Sequence, residues 1–296
     1  MIRIIEVGPR DGLQNEATPI PTDAKAEFIR NLAAAGLNEI EATSFVSSKW
    51  VPQLGDAAEL WTMLPHGPKF SALVPNVKGL ERALGVGVDR IAIFTAASDA
   101  FTQKNINMTV AESLDVFSDV VARFRIERPH GWVRGYVSTS FECPYAGHVR
   151  PLQVVGVAVK LLELGVDEIS IGDTIGVASP KEVRGLTREL LQAVPTDRLA
   201  YHFHDTRGTA IANVAEALSL GIQAFDSSAG GLGGCPYAPG AGGNLATEDL
   251  VYFLEREGHA TTINLDQLSQ ASLPILRILS KTPTSKVQLA TLSRCG

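Results

Sequence analysis

The sequence is poor in the features that mark secreted, membrane and nucleic-acid-binding proteins. Its 296 residues include only three cysteines, an odd and sparse set that does not describe a disulfide framework and favours a reducing cytosol. It has no run of about 18 uncharged apolar residues, so we expect no membrane span. Its 26 basic residues are interspersed among 32 acidic ones, whereas a nucleic-acid footprint requires clustered Lys and Arg. We therefore expect a cytoplasmic protein that binds neither membranes nor nucleic acid.

The rest of the composition is that of an ordinary globular protein. Hydrophobic residues make up 45% of the chain and charged residues 20%. The net charge of −6 is spread along the chain, so an anionic ligand would have to be bound by local groups. One large domain can reach this length, and no linker long enough to mark a second domain is present. We predict a single domain over residues 1–296.

Short apolar runs alternate with longer amphipathic segments along the chain. The runs predicted as strands are Arg3–Glu6, Glu39–Ala42, Phe70–Val74, Arg90–Phe94, Val133–Ser138, Glu168–Ile171, Ala200–His204 and Ala224–Ser227. The segments predicted as helices are Asp23–Ala35, Val77–Gly85, Val110–Arg125, Pro151–Leu164, Pro180–Ala193, Thr209–Leu218, Thr247–Glu255 and Leu265–Leu279. Repeated strand–helix units indicate a parallel sheet. Eight of them favour an α/β fold of the closed (β/α)8 TIM-barrel type over an open doubly wound sheet, and no G-x-G-x-x-G follows the first strand.

Glycines at the predicted helix ends support the same repeat. Gly36, Gly165 and Gly221 each lie between a predicted helix and the apolar residue that leads into the next strand. Glycine there tolerates the left-handed conformation that ends many helices. We expect the barrel to occupy residues 1–230, and an active-site loop with additional C-terminal helices to occupy residues 230–296.

Polar side chains are concentrated where predicted strands end, which is the active-site face of such a barrel. Ionisable residues at these ends are Arg10, Asp11, Glu41, Asp173, His202 and His204. Surface loops scatter charge, but they do not usually concentrate it on the last residues of buried strands. We therefore predict the site at this face.

His202 and His204 form the sharpest local signal. Residues two apart on a strand point to the same face, and two imidazoles aimed into a barrel mouth suit a divalent metal. The alternative is one hydrogen-bonded core histidine and one facing solvent. Asp11 is the expected carboxylate partner, although Asp-Gly is also a common turn pair. Arg10 could bind a carboxylate or a developing oxyanion, or it could form an ion pair with Asp11 or Glu41.

A glycine-rich segment follows the eighth predicted strand. Residues 230–244 include seven glycines. Such a segment is too long and too flexible to serve only as a connector. This composition predicts a lid that closes over a substrate. Cys235 lies within the segment, and Asn244 ends it with an amide oxygen that could complete a metal site.

Seven blocks of the sequence resemble the 3-hydroxy-3-methylglutaryl-CoA lyase family, within the superfamily of acyl-CoA and 2-keto-acid lyases and Claisen-type synthases. The blocks are EVGPRDGLQNE (Glu6–Glu16), TSFVSSKWVPQLGD (Thr43–Asp56), RGYVS (Arg134–Ser138), CPYAG (Cys143–Gly147), GDTIG (Gly172–Gly176), HFHDTRG (His202–Gly208) and GGLGGCPYAPGAGGNLATEDLVY (Gly230–Tyr252). They span nearly the whole chain in the family's order. The GPRDGLQNE and GGCPYAPGA segments favour the lyase branch over the synthases.

The resemblance implies an enzyme that cleaves 3-hydroxy-3-methylglutaryl-CoA, a thioester of leucine catabolism, to acetyl-CoA and acetoacetate. It implies that Mg²⁺ or Mn²⁺ is held by Asp11, His202, His204 and Asn244. The metal would bind the tertiary hydroxyl and a carboxylate oxygen of the substrate. Asp11 or His202 would then remove the hydroxyl proton.

The resemblance also implies four further roles. Arg10 would stabilise the enolate of the departing acetyl-CoA. Glu41 and Asp173 would orient water, Arg10 and substrate. Cys235 would be a catalytic thiol on the mobile loop.

Three other functions stay open from the sequence. One is a sister lyase for another 3-hydroxy-3-substituted acyl-CoA, such as isohexenylglutaryl-CoA or citramalyl-CoA, because the chain departs from the family pattern at Ala17, Phe141-Glu142 and Arg207. The second is a condensing synthase, which would normally carry an extra C-terminal domain. The third is a non-catalytic barrel, but the presence of all the candidate site residues argues against it. The prevalence of two-fold dimers among oligomers favours a homodimer.

Overall fold

The structure, a computed structural model, describes residues 2–234 and 243–293. Eight parallel strands form a closed barrel, in which each strand pairs with the next along the chain. The strands are β1 (Arg3–Glu6), β2 (Glu39–Ser44), β3 (Lys69–Leu73), β4 (Arg90–Ala96), β5 (Trp132–Ser138), β6 (Glu168–Asp173), β7 (Leu199–Phe203) and β8 (Ala224–Ser227). The barrel closes between β1 and β8, where Arg3 is opposite Ala224 and Glu6 opposite Ser227. The predicted TIM barrel is confirmed.

Helices connect the strands and continue after the barrel. They are α1 (Thr22–Ala34), α2 (Ala57–Thr62), α3 (Val77–Gly85), α4 (Asp99–Ile106), α5 (Val110–Glu127), α6 (Pro151–Glu163), α7 (Pro180–Leu190), α8 (Ala210–Ser219), α9 (Thr247–Arg256), α10 (Leu265–Ala271), α11 (Leu273–Ile278) and α12 (Lys286–Leu292). Among the described residues, none of these helices is long and apolar enough to cross a membrane.

Local chemistry fixes several helix ends. The side chain of Thr109 accepts a hydrogen bond from the backbone N–H of Glu112, whose carboxylate accepts one from the N–H of Thr109. This reciprocal arrangement satisfies backbone donors that the first turn of α5 would otherwise leave free. The predicted helix-ending glycines Gly36, Gly165 and Gly221 have φ angles of 102°, 89° and 90°, which side chains with a Cβ rarely adopt.

The sequence prediction missed four elements and merged two helices into one. It contained neither α2 nor α4, nor a small hairpin in which Glu142–Cys143 pairs with Gly147–His148. It also contained no α12 at the end of the described chain. The helix predicted over Leu265–Leu279 is divided into α10 and α11, because Pro274 lies in the first turn of α11 and lacks the N–H that a continuous helix would use.

The apolar core lies between the strands and the surrounding helices. Strand side chains such as Ile4, Ile91 and Ile169 join helix side chains such as Phe117 and Leu161 in one buried cluster. Burial of this layer supplies the main favourable free energy of folding. The layer leaves the inward faces of the strands available for polar groups.

A column of paired charges runs through the barrel interior. Arg3 contacts both carboxylate oxygens of Glu39, at 2.9 and 2.7 Å, and pairs with Glu168. Arg134, only 1% exposed, lies between Glu168 and Asp226, with Nε 3.0 Å from Glu168 and Nη2 2.7 Å from Asp226. Buried charges are tolerated when they are paired in this way. The column therefore connects the amino-terminal end of the barrel to the level of the predicted site.

Candidate active site

Three predicted metal ligands meet at the carboxyl end of the barrel. His202 lies in β7, His204 follows the end of that strand, and Asp11 lies in the turn after β1. One ligand atom of each side chain lies within 4.8 Å of the other two. Neither histidine faces solvent, so the alternative of one core and one exposed histidine is wrong: His204 is buried and the side chain of His202 is 12% exposed.

Asn244 joins this cluster from the far end of the glycine-rich segment. Its Nδ2 donates hydrogen bonds to Asp11 Oδ2 (2.9 Å) and to the carbonyl of Leu232 (3.2 Å). Its Oδ1 is buried and has no hydrogen-bond partner among the described residues. An acceptor oxygen in that state costs free energy unless a cation or a donor reaches it. All four residues of the predicted ligand set are therefore adjacent.

The Nε2 atoms of the two imidazoles face one another. His202 Nδ1 lies 3.2 Å from Asp226 Oδ2, which favours a proton on Nδ1 and leaves the lone pair on Nε2. That Nε2 lies 3.2 Å from His204 Nε2. Burial and the adjacent His202 lower the pKa of His204 to about 3, so its imidazole is neutral near pH 7. The donor set fits a divalent cation bound by two nitrogens and two oxygens.

The carboxylate of Asp11 is strongly polarised by its neighbours. Burial acts to raise its pKa, but the charges of Arg10, His202 and His204 outweigh burial and lower it to about 2. Arg10 Nη1 lies 2.5 Å from Asp11 Oδ1. Asp11 is therefore ionised throughout the physiological range, as a metal ligand must be.

Arg10 is held by two carboxylates. Its Nε donates to Glu41 while its Nη1 contacts Asp11, and its side chain is 8% exposed. Both ion pairs considered from the sequence are thus present. They use Nε and Nη1, and Nη2 makes no hydrogen bond to the residues that the structure describes. Glu41 is completely buried and accepts the hydrogen bond of Arg10 Nε, and its predicted role in orienting Arg10, water and substrate stays a prediction.

The carboxylate of Asp173 hydrogen-bonds to the backbone of the loop that follows it. Its two oxygens accept hydrogen bonds from the N–H groups of Val177 and Ala178, both at 3.0 Å. Burial raises the pKa of Asp173 to about 6 despite these bonds. The carboxylate therefore shapes the β6–α7 connection beside His202, and its predicted contact with water or substrate stays a prediction.

The turn that carries Arg10 and Asp11 depends on a buried glutamate. Glu6 accepts hydrogen bonds from Gly8 N (2.8 Å), Ala229 N (3.0 Å) and Thr247 Oγ1 (2.6 Å). A Cβ at Gly8 would lie 2.5 Å from Glu6 Oε1, so the close approach requires glycine. Burial raises the pKa of Glu6 to about 7.

Part of the predicted lid lies outside the described residues. Cys235 belongs to residues 235–242, so its predicted role as a catalytic thiol stays a prediction. The described ends of the glycine-rich segment meet the site: Gly233 lies against Asn244, whose Nδ2 would be 2.7 Å from a Cβ there. The segment thus begins and ends beside the ligand cluster.

The family model described as HMGL-like matches residues 1–275. This chain belongs to the HMGL-like family. It is 48% identical over 292 residues to "Hydroxymethylglutaryl-CoA lyase, mitochondrial" of Bos taurus, covering 98% of this chain and 89% of that protein. It is 46% identical over 293 residues to "3-hydroxy-3-methylglutaryl-CoA lyase, cytoplasmic" of Rattus norvegicus, covering 98% and 84%.

A solved structure agrees with this HMGL-like assignment. The hydroxymethylglutaryl-CoA lyase from Pseudomonas aeruginosa superposes with a TM-score of 0.96 at 46% identity, covering 99% of this chain and 98% of that one. The family resemblance inferred from the seven sequence blocks is confirmed.

Three residues of the HMGL-like site were not singled out from the sequence. Asp226 contacts His202, Tyr136 donates a hydrogen bond to Glu41, and Arg134 contacts both Asp226 and Tyr136. A signal was present, because Arg134 is a charged residue within the predicted strand Val133–Ser138. A charge at such a position indicates a buried partner.

None of the positions that depart from the family pattern belongs to the predicted ligand set, although Arg207 lines one cavity together with Asn244. Ala17 is exposed, and Phe141 is buried beside the small hairpin. Arg207 Nη1 donates to the carbonyls of Ile175 (2.7 Å) and Gly176 (3.1 Å). Arg207 therefore ties the loop after β7 to the loop after β6.

Proposed function

We propose that this protein cleaves 3-hydroxy-3-methylglutaryl-CoA to acetyl-CoA and acetoacetate in a reaction that depends on a divalent metal. The observation that carries the proposal is the position of Arg10 beside Asp11, within a cluster of buried nitrogen and oxygen ligands. Retro-Claisen cleavage needs these two elements together, because it must activate a hydroxyl group and stabilise an enolate.

Asp11, His202, His204 and Asn244 would hold the metal, which we propose to be Mg²⁺ or Mn²⁺. Two carboxamide or carboxylate oxygens and two imidazoles suit Mn²⁺, while Mg²⁺ usually prefers more oxygen ligands. When bound, such an ion lowers the pKa of a coordinated hydroxyl group and fixes its orientation. The support in this chain is the buried Oδ1 of Asn244, which has no partner among residues 2–234 and 243–293.

Asp11 is the better placed of the two candidate bases. A ligating imidazole has no second lone pair to offer, whereas a carboxylate can ligate through one oxygen and accept a proton through the other. Asp11 would take the proton of the tertiary hydroxyl group. The hydroxyl oxygen then forms the carbonyl of acetoacetate as the C2–C3 bond breaks.

Arg10 would stabilise the charge that this step creates. The electron pair of the broken bond forms the enolate of acetyl-CoA, and negative charge collects on the thioester oxygen. The free Nη2 of Arg10 would donate to that oxygen, while Glu41 and Asp11 keep the guanidinium in place. Protonation of the enolate carbon completes acetyl-CoA, and we propose the thiol of Cys235 as the donor.

A panel of thioesters tests the proposal. Purified protein would be incubated with 3-hydroxy-3-methylglutaryl-CoA, citramalyl-CoA or isohexenylglutaryl-CoA, with Mg²⁺, with Mn²⁺ or with a chelator, and acetyl-CoA would be measured. We expect turnover of the methylglutaryl thioester only where metal is present. Turnover of another thioester alone would assign the protein to a sister lyase. Consumption of acetyl-CoA together with a keto acid would assign it to a synthase.

We also propose a homodimer located in the cytoplasm. The first rests on the prevalence of two-fold assemblies, and light scattering of the purified protein would test it. The second rests on the sparse cysteines. Fractionation of the source cells would test it, since the similar proteins carry both cytoplasmic and mitochondrial names.

A further inference from the structure

Two buried polar side chains of β5 lie beneath the site and take no part in the reaction proposed above. Arg134 is 1% exposed and Tyr136 is 7% exposed. They are two positions apart on one strand, so both point into the barrel. A buried guanidinium and a buried phenol each cost free energy unless their polar atoms are paired. Arg134 Nη1 pairs with Tyr136, while its Nε and Nη2 lie at ion-pair distance from carboxylates.

The hydroxyl group of Tyr136 supports Arg10 through Glu41. Tyr136 Oη donates to Glu41 Oε2 at 2.8 Å, while Glu41 Oε1 accepts from Arg10 Nε. Each oxygen of the carboxylate therefore has its own donor, which fixes the rotation of the carboxylate. The ring of Tyr136 also lies under the guanidinium of Arg10, 5.5 Å from its central carbon to the ring centroid.

Arg134 determines the direction of that hydrogen bond. Its Nη1 lies 3.3 Å from Tyr136 Oη, and a guanidinium can only donate. The phenol oxygen is thus an acceptor toward Arg134 and must give its own hydrogen to Glu41. Burial and the charge of Glu41 raise the pKa of Tyr136 well above its usual range, so this hydrogen is retained.

The other side of Arg134 supports the metal ligands. Its Nη2 lies 2.7 Å from Asp226 Oδ1, and Asp226 Oδ2 contacts His202 Nδ1 at 3.2 Å and Ser170 Oγ at 3.0 Å. Its Nε lies 3.0 Å from Glu168. One guanidinium thus fixes the carboxylate that holds the tautomer and the ring plane of His202.

We infer that Tyr136 is a positioning residue that holds Arg10 through Glu41, and that Arg134 is the shared positioning residue for Arg10 and for His202 through Asp226. Arg134 thereby fixes the relative position of the two parts of the proposed site, which are the Arg10 guanidinium that would stabilise the enolate and the His202 imidazole that would bind the metal. The inference rests on the proposed function, since it assigns Arg10 and His202 their tasks.

A double-mutant cycle tests the inference that Tyr136 positions Arg10 through Glu41, which we call the Tyr136 arm; the role of Arg134 is the Arg134 arm. The four proteins are wild type, Tyr136→Phe, Glu41→Gln and the double variant, assayed for kcat and KM with the methylglutaryl thioester. We expect Tyr136→Phe to lower kcat about tenfold, the order of one hydrogen bond to a charged group, with a smaller change in KM. If Tyr136 acts through Glu41, the double variant loses no more than Glu41→Gln alone. Additive losses, or an unchanged kcat in Tyr136→Phe, would overturn this arm.

Tyr201→Phe is the matched control. Tyr201 is also buried, and its hydroxyl group hydrogen-bonds with Thr187 Oγ1 at 2.6 Å, on the outer side of the barrel. Both substitutions remove one buried hydroxyl group and should lower the melting temperature by a similar amount, while only Tyr136→Phe should lower kcat. Equal kcat losses in the two variants would reduce Tyr136 to a merely structural residue.

Calorimetric titration with Mn²⁺ tests the Arg134 arm without any substrate. Arg134→Lys keeps the charge but cannot contact Glu168, Asp226 and Tyr136 together, because an ammonium is a point donor. We expect it to bind Mn²⁺ about tenfold more weakly, as is usual for a lost partner of a ligating histidine, while Tyr136→Phe binds Mn²⁺ as wild type does. Unchanged Mn²⁺ affinity in Arg134→Lys would overturn this arm. A wild-type protein that binds Mn²⁺ but cleaves no methylglutaryl thioester would instead overturn the proposed function.

Discussion

His202 Nε2 and His204 Nε2 lie 3.2 Å apart, within 4.8 Å of a carboxylate oxygen of Asp11. Two imidazole lone pairs aimed at one another repel unless a proton or a cation lies near both. Because Asp226 favours the proton of His202 on Nδ1, the two Nε2 atoms need either a proton on His204 Nε2 or a shared cation, and we propose the cation.

Replacing His204 should abolish tight metal binding. We expect His204→Ala to bind Mn²⁺ at least about 100-fold more weakly than wild type, the upper end of what losing an outer partner costs, with a parallel loss of turnover. Calorimetry with Mn²⁺ measures the first and acetyl-CoA release the second. The exposed His130 supplies the control, and His130→Ala should match wild type. Retention of full activity in His204→Ala would refute the metal model.

Replacing Arg10 should affect turnover much more than metal binding. We expect Arg10→Lys to lower kcat by about 10²–10³-fold, as for loss of an oxyanion donor, because an ammonium cannot contact Glu41 and Asp11 and still reach the substrate. Mn²⁺ affinity should stay close to that of wild type. Arg123→Lys, at an exposed ion pair with Glu81, is the control. A large fall in Mn²⁺ affinity with unchanged kcat at saturating metal would contradict the role given to Arg10.

Replacing Asp173 should loosen the loop after β6. An amide in place of the carboxylate keeps one acceptor and presents an N–H₂ group to the other backbone donor, so Asp173→Asn leaves Val177 N or Ala178 N without a partner. We expect faster hydrogen exchange of these two amides and a lower kcat. Exchange mass spectrometry measures the first, with Asp115→Asn on the exposed face of α5 as the control. Unchanged exchange combined with a lost kcat would favour direct contact between Asp173 and substrate.

Glu248 should make stability depend on pH. Both of its oxygens accept from Gly230 N at 2.9 Å, and burial raises its pKa from 4.5 to about 8. The folded state therefore favours the protonated form, and the resulting stability is present below pH 4.5 and is lost as pH rises through 8.

The variant Glu248→Gln should remove this dependence. Between about pH 5 and pH 9, wild type should lose a few kcal/mol of unfolding free energy relative to the variant, an order-of-magnitude figure from the linkage relation. Urea unfolding in the presence of a chelator measures the difference. Glu59→Gln, at an exposed position of α2, should parallel wild type. If Glu248→Gln also paralleled wild type, Glu248 would not be the titrating group.

The sequence was sufficient for most of the barrel. Most strands contain a short apolar run, and the glycines Gly36, Gly165 and Gly221 each mark a helix end, which a few neighbouring residues determine. The missed helices have physical reasons. The six residues of α2 are too few to show a period, and only two residues of α4 are buried, Phe101 and Thr102, so no apolar face identified it.

The site was predictable only where its residues are close in sequence. His202 and His204 share a strand face by simple alternation. Asn244 lies 233 residues from Asp11; its place at the end of the glycine-rich segment made it a candidate, and the family resemblance assigned it to the ligand set. The contact of Tyr136 with Glu41 joins strands that are not neighbours, so it depends on how the closed barrel staggers its strands.

The charge column restricts how this chain can exchange segments with related chains. A junction between β4 and β5 would keep Arg134, Glu168 and Asp226 together in one half. It would separate Arg3 from Glu168 and Glu41 from Tyr136. A hybrid of two parents joined there would inherit mismatched partners wherever the parents differ at these positions, and an unpaired buried charge costs about 3–5 kcal/mol. Neutral drift inside the barrel must therefore proceed by paired replacements, so its interior should diverge more slowly than the apolar layer around it.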